Sequence, residues 1–579
     1  MRRARYLILI SRRGPLPAGS IDRMTAGLQP RGHFACAWSS DRAVMFIEGP
    51  SLPIDNGAIA GWVHRRGAHG PIDALSNSDA VLVQTSGGQF LLDAHWGGYV
   101  AMIERDEDVM VLRSPLCDLS CLIAETADAI VVGSDVALLT TVLEKPVVDF
   151  AALARQLAFA DLRQAETCLR GVTELQGGLS LSVADGVTRI DERWSPWRFA
   201  SRERQFDSRD EAKARLRDAI FHAVESSCRH HGPLVLRLSG GIDSSVLAAA
   251  LSKLDLPVTA LNLATEDKAG DERRYARMVA EACGIPLEER YRQLADVDIT
   301  VTAAAGQPRP TARAFVQAAL APSMEIACRI GAGAIVDGGG GDNVFCSLQS
   351  IRPVVDAMMS GEPWTCSRDV ARSVATISQV SEWTVLRRAV IGRFRKISRT
   401  GFPLDQRFLS PAAVQILDGA GRHRWLESPP GTLPGKAAHL AVIATAQSVV
   451  ESFDPSATIP LVAPLITQPV VETCLKTPSW WWFDRGLNRV VARDAFADLL
   501  PRKVIERYSK GGPDSFIAEL FQHHRQLIGA TLLDGVLVEQ ELLDRTAIAD
   551  VLAQRGPAQH HDFMRIMRLY DAEIWARSY

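Results

Sequence analysis

The chain has 579 residues, 47% of them hydrophobic and 23% charged, with a formal net charge of -3. At about 150 residues per domain this is material for three or four folded units, so a peptide or a disulfide scaffold is excluded, and the ordinary composition excludes disorder and a membrane channel. The near balance of charge leaves no global field for nucleic acid or an acidic membrane, so neither is expected as a partner.

The first thirteen residues place arginines before an apolar run, as a signal peptide does, but the run Tyr6 to Ile10 is too short and Arg12 and Arg13 close it, so a first β-strand is expected. No stretch reaches the ~18 apolar residues of a membrane-spanning helix. Short strand-like runs follow at residues 43–47, 80–84, 98–103, 109–113 and 129–132, then a helix at 148–160 and a strand at 179–182. A polar stretch at 200–210 sets the boundary between a sheet-rich domain, residues 1–200, and a second domain, residues 201–579. That second domain alternates: helix 211–228, strand 234–238, a helix from about Ser244, strand 258–263, helix 271–283 and strand 334–336, the signature of a doubly wound parallel sheet. Beyond Ser350 the pattern is helical, broken at Pro429-Pro430-Gly431 and along the Pro-rich run 455–469.

The 10 cysteines include no C-x-x-C pair, the closest being Cys117 and Cys121, and no zinc-spaced Cys/His cluster, so they read as reduced thiols of a cytoplasmic protein. Arg387, Arg388, Arg393, Arg395, Lys396 and Arg399 read as a solvated helix face, Trp480 to Phe483 as packing, and the pairs His230-His231 and His560-His561 as surface residues.

Two motifs carry chemistry. In Leu238-Ser239-Gly240-Gly241-Ile242-Asp243-Ser244 a strand runs into two glycines and then into serines at a helix start, where bare backbone and free N–H groups attract phosphate. No lysine follows the glycines, so this is not the loop of γ-phosphate-transferring NTPases; it resembles the pyrophosphatase loop (PP-loop) of enzymes that split ATP between its α and β phosphates. The second is Asp337-Gly338-Gly339-Gly340-Gly341-Asp342-Asn343-Val344-Phe345, again a strand running into glycines and an acid. Two such strand ends can converge on one crevice of a doubly wound sheet, bringing Asp342 and Asp243 to a common cation, for which Mg2+ with carboxylate ligands is the natural choice.

With these loops in place the chain resembles the asparagine synthetase family over nearly its whole length. Trp96-Gly97-Gly98-Tyr99-Val100-Ala101, Val111-Leu112-Arg113-Ser114-Pro115 and Val132-Gly133-Ser134-Asp135 follow the family's glutaminase domain, Asp271-Glu272-Arg273-Arg274 its second helix, and Arg489, Arg493, Arg507 and Ser509-Lys510-Gly511-Gly512 its C-terminal signature. The resemblance implies an N-terminal Ntn-hydrolase-like αββα domain and a C-terminal PP-loop domain of the adenine-nucleotide α-hydrolase type. It implies ATP held by Leu238, Ser239, Gly240, Gly241, Asp243, Ser244, Leu263, Gly338, Gly339 and Gly340, Mg2+ on Asp243 and Asp342, and catalysis by Lys510 and Glu451.

Two departures sharpen the expectation. The family's glutaminase needs an N-terminal cysteine, whereas here Met1 precedes Arg2 and Cys36 is internal, so glutamine hydrolysis is expected to be absent. Asparagine synthetases carry Glu, and β-lactam synthetases Tyr, three residues before the metal-binding Asp, where this chain has Gly339. The string from Gly338 to Ser350, with Arg352-Pro353 and Asp356, is most similar to the lasso-peptide cyclases. That resemblance implies an AMP-forming macrolactam synthetase acting on a ribosomal core peptide, with a leader-binding protein and a leader protease as partners. An ammonia-dependent asparagine synthetase and a non-catalytic peptide-binding scaffold are the alternatives.

Overall fold

The run Tyr6-Leu-Ile-Leu-Ile is apolar on both faces because both faces are covered. In the computed structural model, which describes residues 3–106, 108–116, 118–159, 161–267, 271–394, 402, 404–417, 423–454, 456–508, 511–554 and 560–579, it forms β1 (Arg5–Ser11) at the interior of a six-stranded antiparallel sheet. The N-terminal strands continue as β2 (Ala35–Ser39), β3 (Ala43–Glu48), β4 (Ser51–Ile54), β5 (Gly57–Gly61), β6 (His64–Arg65), β7 (His95–Trp96), β8 (Tyr99–Arg105), β9 (Asp108–Arg113), β10 (Leu122–Glu125), β11 (Ala129–Gly133), β12 (Val172–Glu174), β13 (Leu179–Ala184) and β14 (Val187–Glu192). One sheet has the order β12-β10-β11-β1-β3-β2 and the other β14-β13-β9-β8-β5-β4.

Alternation along β1 assigns the layers. Tyr6, Ile8 and Ile10 meet Val100, Met102, Val109 and Val111 of the second sheet, whereas Leu7 and Leu9 meet the helices α1 (Ser20–Leu28) and, later in the chain, Phe150–Phe159. Helices also cover the far face of the second sheet, where Val83, Leu91 and Leu92 pack on Tyr99, Ala101 and Ile103. The expected αββα layering is therefore present. One element differs: residues 80–84 lie in a helix, α2 (Asn77–Thr85), not a strand. Ser76 caps its first turn by accepting the Asp79 N–H at 3.1 Å, and the run Ala80-Val-Leu-Val is too short for its period to tell strand from helix.

The last strand of these sheets ends at Glu192, and after α3 (Phe150–Phe159) the next long helix is α4 (Arg209–Cys228), which opens the second half. There β15 (Leu234–Arg237), β16 (Val258–Ala264), β17 (Leu287–Tyr291), β18 (Ala334–Val336) and β19 (Leu461–Val462) make a wholly parallel sheet of order β17-β16-β15-β18-β19. Its crossover helices include α5 (Ile242–Leu251), α6 (Arg273–Cys283) and α7 (Gln317–Ile330). β17 is charged at its centre and β19 sits inside the Pro-rich run, so neither was legible as a strand in the sequence. The helices after Ser350 include α8 (Pro434–Val450), α9 (Asp514–Leu533) and α10 (His560–Arg577). Asp356, a residue of the cyclase-like string, caps α8: it accepts the N–H groups of Gly435 at 2.7 Å and Lys436 at 3.1 Å and the Ser479 hydroxyl at 2.6 Å.

The halves share their cores. The far face of the second sheet runs without break into α4, α5 and the parallel sheet, and α9 and α10 close over the outer side of the first sheet beside α3. Trp480, Trp482 and Phe483 are buried packing residues, and Arg387, Arg388 and Arg393 are exposed, both as expected. Arg395, Lys396 and Arg399 lie outside the described residues, as does Cys117. No helix among the described residues is long and apolar enough to cross a membrane.

Candidate active site

Register brings the two glycine motifs together. β15 and β18 are parallel neighbours, with Leu236 opposite Val336, so the segments that leave them emerge side by side at the carboxyl edge of the sheet. After β15 the chain turns through Gly240 at φ 73. A Cβ there would lie 2.6 Å from the backbone nitrogen of Ala276 and 2.7 Å from Cβ of Tyr275, so no larger residue fits. The loop then closes on itself: Gly241 N–H donates to Ser239 Oγ at 3.2 Å, the Ser239 and Ser244 hydroxyls are 3.1 Å apart, and Ser244 and Ser245 donate back to the Gly241 carbonyl at 3.2 and 2.8 Å. This leaves the first turn of α5 as a cradle of backbone donors for an anion.

The second glycine run is also a close-approach device. A Cβ at Gly338 would lie 3.0 Å from the nitrogen of Ser244, and one at Gly341 2.6 Å from Cβ of Asp243. The short helix Gly341–Val344 thus packs on the PP-loop and delivers Asp342 toward Asp243. Both carboxylates face one guanidinium: Arg489 Nη1 is 2.9 Å from Asp243 Oδ2 and 3.6 Å from Asp342 Oδ1. Arg489 is buried and held at φ 58, an uncommon backbone for a non-glycine residue. Two hard-oxygen donors reached by one cationic atom suit a magnesium ion that takes its remaining ligands from phosphate and water. No group of three or more His, Cys, Asp or Glu residues capable of holding a metal occurs among the described residues.

Glu272, at the start of α6, links two segments of the site. It accepts Arg507 Nη2 at 2.7 Å and the Gly511 N–H at 2.9 Å, while Arg507 reaches the Gly240 carbonyl at 3.3 Å and lies 4.0 Å over the Tyr275 ring. The segments on either side of Ser509-Lys510 are therefore tied to the PP-loop. Lys510 itself lies outside the described residues. Arg489, Arg507 and Glu272 complete the site and had drawn no functional role from the sequence, because arginines and a helix-start glutamate have many uses and only their partners reveal which.

Other expected residues are less central. Leu238 is buried beneath the loop, where its carbonyl accepts Asn262 Nδ2 at 2.7 Å, and Leu263 packs on the opposite side of the sheet with Val235, Leu261 and Ile335. Glu451 follows α8 and is ion-paired to the N-terminal domain, with Oε1 2.7 Å from Arg113 Nη2 and Oε2 3.5 Å from Arg163 Nε. Cys36 lies exposed on β2.

Trp96, Gly97 and Gly98, from the glutaminase-like motif, line an interdomain cavity of about 100 Å³ together with Arg3, Asp118, His64, His230 and His231. Here the expectation of surface histidines fails for the first pair: burial lowers His230 to about 4 and His231 to about 3, so both are neutral at pH 7. The end of α4 tucks them under the N-terminal domain, a placement no local pattern encodes. The side chains of His560 and His561 lie outside the described residues.

Comparison with known proteins bears on this geometry. Residues 215–395 and 455–577, more than half of the chain, match the family model described as asparagine synthase. No curated protein matches the chain. Among solved structures, the allosteric regulatory enzyme of purine biosynthesis is similar at 12% identity and a TM-score of 0.22, over 50% of this chain and 80% of that one. The glutamine phosphoribosylpyrophosphate amidotransferase from B. subtilis, complexed with ADP and GMP, is similar at 12% identity and a TM-score of 0.21, over 58% and 90%. On the family match, the chain belongs to the asparagine synthase family, a family of ATP-dependent ligases.

Proposed function

We propose that the chain is an AMP-forming peptide ligase that activates the side-chain carboxylate of an Asp or Glu in a ribosomal core peptide and closes it onto the peptide's own N-terminal amine, as a lasso-peptide cyclase does. The observation that carries this reading is Gly339. It stands exposed on the crest of the second loop, and a Cβ there would meet only the Asp337 carboxylate, with Oδ1 nearest at 3.0 Å. Where the resemblance implies Glu or Tyr against a small substrate, this crest leaves room for a folded peptide.

The chemistry follows from the loops. The backbone donors of the PP-loop hold the triphosphate, and Asp243 and Asp342 would hold Mg2+, which neutralises phosphate charge during substitution at the α-phosphorus. A carboxylate oxygen of the peptide attacks that phosphorus and pyrophosphate leaves. The amine, held close by the fold of the peptide, then attacks the acyl carbon and AMP leaves, a net loss of one water from the peptide. Lys510 is the proposed cation for charge developing on the α-phosphate. Glu451, engaged by two guanidiniums, enters as a positioning group. A leader-binding protein and a leader protease are the proposed partners.

The test is mass spectrometry of a leaderless core peptide incubated with the protein, ATP and Mg2+, with AMP measured in parallel. Loss of 18 Da, the mass of one water, with stoichiometric AMP is expected; AMP formed only with free aspartate and ammonia assigns asparagine synthesis instead, and none under either condition points to a missing partner or to the scaffold. In the same assay Gly341→Ala, which forces a methyl against Asp243, is expected to lower AMP release about 100-fold, as a misplacement of order 1 Å does.

A further inference from the structure

The second loop, which carries Asp342, packs on two other elements of the second half. One is β19, two residues long, whose following turn places Leu465 2.9 Å from where a Cβ at Gly341 would be and sets Ile466 against Gly340. The other is the C-terminal half of α8: Asn343 Nδ2 donates to the Val442 carbonyl at 2.6 Å and to Thr445 Oγ1 at 3.2 Å, and Ala446 lies under Gly340. A two-residue strand has few ladder bonds, and a helix C-terminus has unsatisfied carbonyls.

The N-terminal domain grips both. Arg3, 6% exposed, donates from Nη2 to the Leu461 carbonyl of β19 at 2.6 Å, and its Nε lies 2.8 Å from Asp118 Oδ2. Arg113 and Arg163 take Glu451 at the end of α8, and the Arg163 N–H donates to Ser448 Oγ at 2.9 Å. Arg113 and Arg163 are fixed in turn on Glu174. The pairs of Arg113 and Arg163 with Glu451 are charge-assisted contacts removed from water, and guanidiniums at a helix C-terminus also complement its dipole.

We propose that the N-terminal domain is a positioning element for the synthetase site: Arg3 through β19, and Arg113 with Arg163 through Glu451 and α8, hold Asp342 in register with Asp243. The inference rests on the reading of these two aspartates as the cation site of an ATP-dependent ligase. In this arrangement Arg3 and Glu451 act as positioning residues, through β19 and α8.

The test uses the full chain and its Arg3→Gln, Arg3→Lys and Glu451→Gln variants. Free Mn2+ is followed by electron paramagnetic resonance in the presence of α,β-methylene-ATP, alongside the affinity for the metal-free analogue and the melting temperature. Arg3→Gln and Glu451→Gln are each expected to weaken Mn2+ binding about tenfold, as loss of support behind a metal ligand does, while affinity for the metal-free analogue stays within about twofold. Arg3→Lys, which can still donate to the Leu461 carbonyl, is expected to recover most of the loss. Unchanged Mn2+ affinity with a lowered melting temperature would overturn the proposal, leaving the contacts as domain glue. A wild-type chain that binds no Mn2+ with the analogue overturns the ligase reading, and the clamp with it.

Discussion

Asp243→Ala and Asp342→Asn are each expected to depress AMP formation by about 10³-fold or more, the scale on which stabilisation of developing charge is lost. The two substitutions differ in what else they disturb. Asp342 is 44% exposed in its side chain and faces Arg489 at the longer distance, 3.6 Å, so its amide variant is expected to keep the melting temperature of the wild type. Asp243 is 5% exposed in its side chain and 2.9 Å from Arg489, so its loss strips a buried guanidinium of its nearer counter-charge and is expected to lower stability as well as turnover. AMP assays with thermal melts on both variants separate chemistry from folding. Turnover that survives Asp342→Asn would remove that carboxylate from the cation site.

The second large effect concerns stability. Glu174 receives Arg113, Arg163 and Arg309, two of which also face Glu451, all in the interface between the domains. Three guanidiniums against two carboxylates tolerate no further loss of negative charge. Glu174→Gln is expected to cost about 3–5 kcal/mol, the penalty for breaking a buried ion pair, read as a drop in the midpoint of denaturant unfolding. The arginines hold the Glu174 carboxyl down at about 2, below its ordinary 4.5, against the opposing effect of burial. Its contribution is therefore complete above about pH 4.5 and lost as pH falls toward 2. His64 and His230, lowered by burial to about 4, weaken the fold in a different window, from about 6.5 down to 4. Between pH 4 and 2 the wild type should lose stability toward that of Glu174→Gln, and parallel curves for the two chains over that range would refute the assignment.

The local chemistry of the site was legible in the sequence because it is local. A strand, two glycines, an acid and serines dictate a phosphate cradle whatever surrounds them, and Gly240 at φ 73 against Ala276 shows why nothing but glycine would serve. The apolar runs at residues 43–47, 109–113 and 234–238 were strands because their covered faces are written into every residue. The run at residues 80–84 was misread because five residues do not resolve a period, and the cap at Ser76 decided for helix.

The sequence by itself determined that two glycine loops follow two strands of a parallel sheet, and which acids ride on them. Only the tertiary structure decided that Arg489 stands between those acids, 246 positions from Asp243, that Arg113 finds Glu451 across 338 positions, and that His230 and His231 line a cavity. The reason is physical: a backbone turn is selected by its own few residues, whereas a guanidinium can satisfy any carboxylate, and which one it meets is settled by how sheets and helices pack.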